Sequence, residues 1–125
     1  MTVDATLPYD DSNIFARILR GELPCNKVYE DEHVLAFNDI NPQAPVHILL
    51  IPKGRYVSWD DFSADASTEE QAAFVRAAGH IAREARLVEP GYRMLTNTGA
   101  HGGQVVPHLH LHIVGGEPLG PMLAQ

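Results

Sequence analysis

The chain has 125 residues and a formal net charge of −7 at pH 7, with 45% hydrophobic and 20% charged residues. This length suits one compact domain, and this composition excludes disordered and fibrous proteins. The negative charge repels a phosphate backbone, so we expect no DNA or RNA partner. The apolar stretches are too short to cross a membrane and the acidic N-terminus carries no leader signal, so no membrane partner is expected. The single cysteine, Cys25, forms no internal disulfide, which favours a reducing cytoplasm.

The chain contains no repeat, linker or low-complexity tract that would divide it, so we interpret it as one domain. We place this domain over residues 12–121. The preceding residues 1–11 include Pro8, several acids and few large apolar side chains, which predicts a flexible N-terminal arm. Residues 122–125 are left as a short C-terminal tail.

The first predicted elements are a short helix, a β-hairpin and a buried strand. Ser12 caps the helix, and Gly21 supplies the left-handed conformation that ends it. The hairpin has its strands over residues 27–29 and 34–38, which are separated by a polar turn. The apolar run over residues 46–51 is typical of a central strand buried on both faces.

The second half of the chain predicts a longer helix and two more strands. Ser67 and Glu70 have the spacing of a capping box at a helix start, and apolar residues follow at helical period. Strands are predicted over residues 92–97 and 108–114, with a glycine-rich loop over residues 99–103 between them. This order favours an α+β domain in which two helices accompany an antiparallel meander sheet.

A cluster of histidines lies in the last predicted strand. Because side chains alternate along a strand, His108, His110 and His112 share one face, and the residues between them face the other way. Three interpretations fit this pattern: a polar face exposed to water, a metal site such as zinc, and nucleophilic catalysis by one imidazole with its neighbours moving protons. Cysteine and acidic ligands are scarce around the cluster, and His47 is an unusual residue inside a buried strand.

The cluster resembles the signature of the histidine triad superfamily, which is His-x-His-x-His followed by two apolar residues. Beyond this motif the chain resembles the Hint branch, the purine nucleoside phosphoramidases of bacterial type, over roughly residues 12–121. The matching stretches are residues 13–22, 34–39, 41–53 and 102–104. Relatives that transfer nucleotides place Gln where this chain has His112, and dinucleoside polyphosphate hydrolases usually lack the Gly pair that follows the cluster here.

The resemblance implies a metal-independent hydrolase, without a cofactor, that cleaves the P–N bond of adenosine or guanosine 5′-monophosphoramidates through a nucleotidyl-histidine intermediate. His110 resembles the nucleophile, and His108 resembles its orienting neighbour, with His47 supporting His108. His112 resembles the group that contacts the phosphate and protonates the leaving group. The family's zinc-binding members have paired cysteines near the first helix; this chain has none there, so no structural zinc is expected.

The resemblance also implies the nucleotide contacts. Asp39 resembles the carboxylate that accepts hydrogen bonds from the ribose hydroxyls. The phosphate is expected near the glycine-rich loop and its flanks, at Asn97, Gly103, Gln104 and Val105, the last standing where many Hint proteins have Ser. The base is expected in an apolar slot formed by Ile14, Phe15, Ile18, Phe37, Ile40 and Leu49.

The expected partners are a purine nucleoside monophosphate or phosphoramidate and a second copy of the chain, whose sheet would join this one in a homodimer. Three alternatives stay open. The first is a nucleotide-sensing or partner-binding module with incidental hydrolysis. The others are a dinucleoside polyphosphate hydrolase and a metal-binding protein.

Overall fold

The computed structural model describes residues 2–123. Its elements in chain order are α1 (Ile14–Leu19), β1 (Lys27–Glu30), β2 (Val34–Asn38), β3 (Val46–Pro52), α2 (Trp59–Asp65), α3 (Thr68–Glu84), β4 (Tyr92–Leu95) and β5 (Leu111–Gly115). Residue 1 of the predicted arm and residues 124 and 125 of the predicted tail lie outside the described residues. Among residues 2–123, no helix has both the length and the apolar character needed to span a membrane.

The five strands form one sheet in the order β1-β2-β3-β5-β4, and every neighbouring pair is antiparallel. The central strand β3 pairs Leu49 with Phe37 on one side and with His112 on the other. The predicted α+β class with an antiparallel sheet is therefore confirmed, but the sheet is not a simple meander, because β5 lies between β3 and β4.

The sheet separates two apolar clusters, because alternate residues of each strand face opposite sides. One face packs against α2 and α3, and its largest fully buried side chains include Phe74, Leu50 and Ile81. The other face packs against α1 through Phe15, Leu35, Phe37, Leu49 and Ile51. We call this second side the α1 face, and all four histidines of the predicted site belong to it.

Two helix details differ from the sequence prediction. The cap of α1 is Asn13, whose side-chain oxygen accepts from the Ala16 N–H at 2.9 Å, whereas the Ser12 hydroxyl donates to Asp10. The helix α2 was not predicted, because its seven residues include only one buried side chain, Phe62, and show too little periodicity. A capping box begins it, and Phe62 joins the core beneath α3.

The last strand is shorter than predicted, since it begins at Leu111 rather than at His108. The hydrogen bonds of the preceding residues explain this difference. The Leu109 N–H donates to the Tyr56 carbonyl, outside the sheet, and the Thr96 hydroxyl donates to the His110 carbonyl in place of a strand-to-strand bond. The chain still alternates through this stretch, so Leu109 is buried in the α2–α3 core while its neighbours face α1.

Candidate active site

The three clustered histidines and His47 come together on the α1 face, as the sequence pattern indicates. His108 is fully buried, His110 and His47 are each 6% exposed, and His112 is half-buried. The ring centroids of His110 and His112 lie 5.1 Å apart, and the edge of Phe15 packs on His110 at 5.0 Å. The site is therefore a mostly enclosed group of imidazoles with an apolar wall.

His110 has one nitrogen committed to the backbone. Its Nδ1 lies 2.7 Å from the His108 carbonyl oxygen. Because a carbonyl only accepts hydrogen bonds, we assign the ring proton to Nδ1, which leaves Nε2 with an unprotonated lone pair. Burial lowers the pKa of His110 from its ordinary value, against the opposing effect of the His108 carbonyl. His110 is therefore a neutral imidazole at neutral pH with a nucleophilic Nε2.

His112 pairs with His47. The Nδ1 of His47 accepts from the Gln43 N–H at 3.0 Å, so His47 carries its proton on Nε2. That Nε2 lies 2.9 Å from Nδ1 of His112, which accepts it, and His112 therefore carries its own proton on Nε2. Burial, with the neighbouring His110 and His47, lowers the pKa of His112 to about 4.

The predicted support of His108 by His47 is wrong. Residue 47 faces the same side of β3 as Leu49, and Leu49 pairs with His112, so the two imidazoles meet across the β3–β5 pair. His108 precedes β5 and reaches the far end of β3, where its Nε2 donates to the Pro52 carbonyl at 2.8 Å.

His108 also meets a residue that the sequence analysis missed. Its Nδ1 lies 2.5 Å from the hydroxyl of Tyr9, in the segment before α1. Burial lowers the pKa of His108 to about 4, so the ring is neutral. With Nε2 on Pro52 and Nδ1 on Tyr9, His108 has no nitrogen left for a substrate.

Asp39 follows β2 and lies beside the His47–His112 pair. Its Oδ1 accepts from the Asn41 N–H at 2.8 Å, and its Oδ2 is 3.4 Å from Nε2 of His47. One donor atom each from Asp39, His47 and His112 lies within 4.8 Å of the others. Within residues 2–123, these three groups are therefore the ones that could hold a metal ion, and His110 is not among them.

A groove of about 290 Å³ opens beside His47 and His112, towards β4. Strand β4 and the C-terminal segment form its other wall, with Arg93, Leu95 and Leu119. Its lining offers both apolar surface and the polar edge of the imidazole pair.

Two expected phosphate contacts are corrected by the structure. The Gln104 side chain is 1% exposed, and its Nε2 donates to the carbonyls of Val57 and Val106, so no donor is left for a phosphate. The Gly103 N–H donates to the Ala100 carbonyl, within a turn that its φ of +74° helps to form. Gln104 therefore stabilises the loop from inside.

The other two expected phosphate contacts, Asn97 and Val105, stay predictions. Asn97 is half-buried just beyond β4, and Val105 is 64% exposed. Gly102 is required by the turn, because a Cβ there would lie 2.5 Å from the Thr98 carbonyl oxygen.

The predicted apolar slot is assembled in part. Phe15, Phe37 and Leu49 are buried in one cluster, and Ile18 packs against it. Ile14 and Ile40 are 45% and 94% exposed. Four of the six side chains are therefore together, and the other two present apolar surface to solvent.

The family model described as HIT domain matches residues 20–119 of this chain. The chain belongs to the HIT domain family. A HIT-like protein of Azospirillum brasilense is 61% identical over 117 residues, which are 94% of this chain and 96% of that protein. A purine nucleoside phosphoramidase of Escherichia coli is 47% identical over 117 residues, which are 92% of this chain and 96% of that protein.

Solved HIT structures agree with the fold. A HIT family hydrolase from Clostridium thermocellum superimposes with a TM-score of 0.83 at 38% identity, over 92% of this chain and 99% of that one. A HIT family hydrolase from Legionella pneumophila gives 0.79 at 41% identity, over 86% and 95% of the two chains. The names of these two relatives support the interpretation of this protein as a hydrolase.

The matched part of the HIT domain includes His47 and the whole histidine cluster, but it begins after α1. Phe15 and Tyr9, which contact the cluster, lie outside it. Part of this site is therefore built by residues beyond the matched segment.

Proposed function

We propose that this HIT protein is a metal-independent hydrolase of purine nucleoside 5′-monophosphoramidates that acts through a nucleotidyl-histidine intermediate. The observation that carries the proposal is the proton arrangement of His110, whose Nδ1–H is held by a carbonyl so that Nε2 keeps its lone pair. The name of the Escherichia coli relative supports the substrate class.

The reaction has two displacements at phosphorus. In the first, Nε2 of His110 attacks, a P–N bond to the imidazole forms, and the P–N bond to the leaving amine breaks. The ring becomes positively charged, and its Nδ1–H continues to donate to the His108 carbonyl, which stabilises that charge. In the second, water attacks phosphorus and releases the nucleoside monophosphate, which restores neutral His110.

The leaving nitrogen needs a proton, because an amide anion is a very poor leaving group. His112 is assigned to supply it from Nε2. A neutral imidazole gives up a proton reluctantly, so we assign His112 the imidazolium form in the active enzyme; the further proton binds at Nδ1, where the hydrogen bond from Nε2 of His47 must open. The Asp39 carboxylate, 3.4 Å from His47, and the bound phosphate both favour that positive charge.

The surroundings accommodate the rest of the substrate. We place the purine against the apolar cluster beside Phe15 and the ribose hydroxyls on Asp39. The phosphate then lies among His110, His112 and the exposed residue Val105. The groove beside the His47–His112 pair is left for the substituent of the leaving amine.

We also propose that the protein is a homodimer. Strand β4 lies at an edge of the sheet and carries the exposed apolar side chains Met94 and Leu95. Pairing of two copies along this edge would satisfy its backbone groups and continue the sheet. Light scattering should give about twice 13.7 kDa, and a strict monomer would contradict the proposal.

The direct test is hydrolysis of adenosine 5′-phosphoramidate by the wild type and by His110→Ala. We expect the substitution to abolish turnover while AMP binding is nearly retained, because the ribose and base contacts remain. His80→Ala is the matched control, since His80 is exposed on α3 beyond the opposite face of the sheet. A wild type that binds AMP and turns over negligibly would instead indicate a nucleotide sensor.

The proposed metal independence of the hydrolysis is tested separately. Exhaustive treatment with EDTA should leave the rate unchanged, because the proposed nucleophile is an imidazole nitrogen rather than a metal-activated water. Loss of activity that only added zinc restores would contradict the proposal. It would indicate that the site of Asp39, His47 and His112 works with a bound ion.

A further inference from the structure

The segment before α1 places a phenol against the most buried histidine of the site. The Tyr9 hydroxyl lies 2.5 Å from Nδ1 of His108, and the two rings meet edge to face with centroids 5.5 Å apart. His108 itself is fully buried. Among the described residues, Tyr9 is the contact of this nitrogen.

The donor and acceptor roles in this contact are fixed. The Pro52 carbonyl only accepts, so the proton of neutral His108 is on Nε2, and Nδ1 must accept. Burial raises the pKa of Tyr9, so its hydroxyl keeps its proton and donates. Without this donor, a buried ring nitrogen would lose its partner, and the two tautomers of His108 would become closer in energy.

His108 is in turn coupled to the nucleophile through its backbone. The His108 carbonyl accepts from Nδ1 of His110 at 2.7 Å, and this bond sets the direction of the attacking Nε2. A ring held at both nitrogens fixes the position of residue 108. A displacement of the nucleophile by about 1 Å can reduce a rate by about a hundredfold, so a small loss of order here is measurable.

The Tyr9 ring is held by its own neighbours. The Arg55 guanidinium lies over the ring at 5.1 Å and donates to both carboxylate oxygens of Asp11, at 2.9 Å and 2.7 Å. The guanidinium of Arg20 donates to the Asp11 carbonyl at 2.8 Å. Further along, the Val3 N–H donates to the Gln104 carbonyl at 2.7 Å. The segment predicted as an arm therefore has specific contacts at the site, and its mobility stays a prediction.

We propose that Tyr9 is a positioning residue: together with the Pro52 carbonyl, its hydroxyl fixes the proton of His108 on Nε2 and, through the His108 carbonyl, holds His110 in the orientation for attack. The catalytic part of this proposal rests on the proposed function. The part that concerns the His108 proton does not, because it is a property of the free protein.

The test compares the wild type with Tyr9→Phe, which removes the hydroxyl and keeps the ring under Arg55. Tyr29→Phe is the matched control, since it deletes a hydroxyl that donates to Asp31, away from the site. Two-bond nitrogen–proton NMR spectra of the free proteins report which ring nitrogen of His108 is protonated. Phosphoramidate hydrolysis reports kcat and KM, and circular dichroism confirms that each variant is folded.

We expect His108 of the wild type to be protonated on Nε2 alone, with a hydrogen-bonded Nδ1. In Tyr9→Phe this Nδ1 signal should shift towards that of a free nitrogen, and kcat should fall by about tenfold with little change in KM, as the loss of one buried hydrogen bond suggests. Tyr29→Phe should change neither the Nδ1 signal of His108 nor kcat.

Two results would overturn the proposal: unchanged His108 and His110 resonances in Tyr9→Phe, or altered resonances with a wild-type kcat. A wild type that hydrolyses no phosphoramidate would overturn the proposed function instead. In that case the spectra still decide whether Tyr9 fixes the His108 proton.

Discussion

Nε2 of His47 lies 2.9 Å from Nδ1 of His112, across the pair of strands β3 and β5. This contact joins a buried strand residue to the half-buried imidazole that faces the groove. It also explains why a histidine is present in an otherwise apolar strand. The His47 proton fixes the tautomer of His112, and so determines which nitrogen of His112 is available to a leaving group.

The contact between His47 and His112 predicts that the effect of substitutions on kcat depends on the leaving group of the substrate. In His112→Ala, hydrolysis of alkyl phosphoramidates should slow by about a hundredfold or more, because a basic amine needs the proton most, whereas substrates with aryl leaving groups should lose less. His47→Gln should show the same ranking with smaller losses, since His47 acts through His112. The measurement is kcat for a series of amines that differ in pKa. An equal loss for all amines would contradict a role in proton transfer.

Asp39 should affect binding of the ribose more than the chemistry. Asp39→Ala is expected to raise KM by about tenfold, the value of one hydrogen bond to a charged group, and to lower kcat less. The control is a 2′,3′-dideoxy substrate, which lacks the hydroxyls that the carboxylate would bind. With that substrate the variant and the wild type should have similar KM values. An equal rise in KM for both substrates would mean that Asp39 acts without contacting the ribose.

Local patterns in the sequence predicted much of this molecule. The capping box at Ser67 begins α3 as expected, and Gly21, at a φ of +78°, follows α1. The alternation of the histidines with Leu109 and Leu111 predicted their shared face, even though β5 starts only at Leu111. These features depend on residues close together in the chain, and their side-chain types determine the local geometry.

Contacts between distant residues were not predictable in the same way. The choice of His112 rather than His108 as the partner of His47 depends on the register between β3 and β5. The contact of Tyr9 with His108 joins residues 99 positions apart, and a tyrosine in a polar segment gives no sign of it. Gln104 has the residue type of a phosphate ligand, and only the structure shows that its side chain is buried and donates to the Val57 carbonyl.

The buried state of His108 predicts how stability depends on pH. Its pKa is lowered to about 4 in the folded protein, whereas in the unfolded chain it has the ordinary value of 6.5. The unfolded chain therefore binds the proton first as the pH falls. The stability from this group is complete above pH 6.5 and decreases towards pH 4, by about 3 kcal/mol in the free energy of unfolding.

Urea unfolding of the wild type and of His108→Asn at several pH values between 7.5 and 4 checks this prediction. The variant has no imidazole to protonate here, so it should be less stable at pH 7.5 but should lose less stability on acidification. Carboxylates contribute equally to both proteins and cancel in the comparison. Parallel pH profiles would show that His108 is not the group responsible.

The proposed reaction depends on a covalent bond between Nε2 of His110 and phosphorus. Its most direct test is mass spectrometry of samples quenched briefly in acid during turnover of an adenosine phosphoramidate, with the brief quench preserving an acid-labile P–N bond. We expect an adduct of one nucleoside monophosphate on the peptide that contains residues 108–112, and its absence in His110→Ala. Turnover by His110→Ala at near the wild-type rate would contradict the covalent intermediate, because it would mean that water attacks the substrate directly.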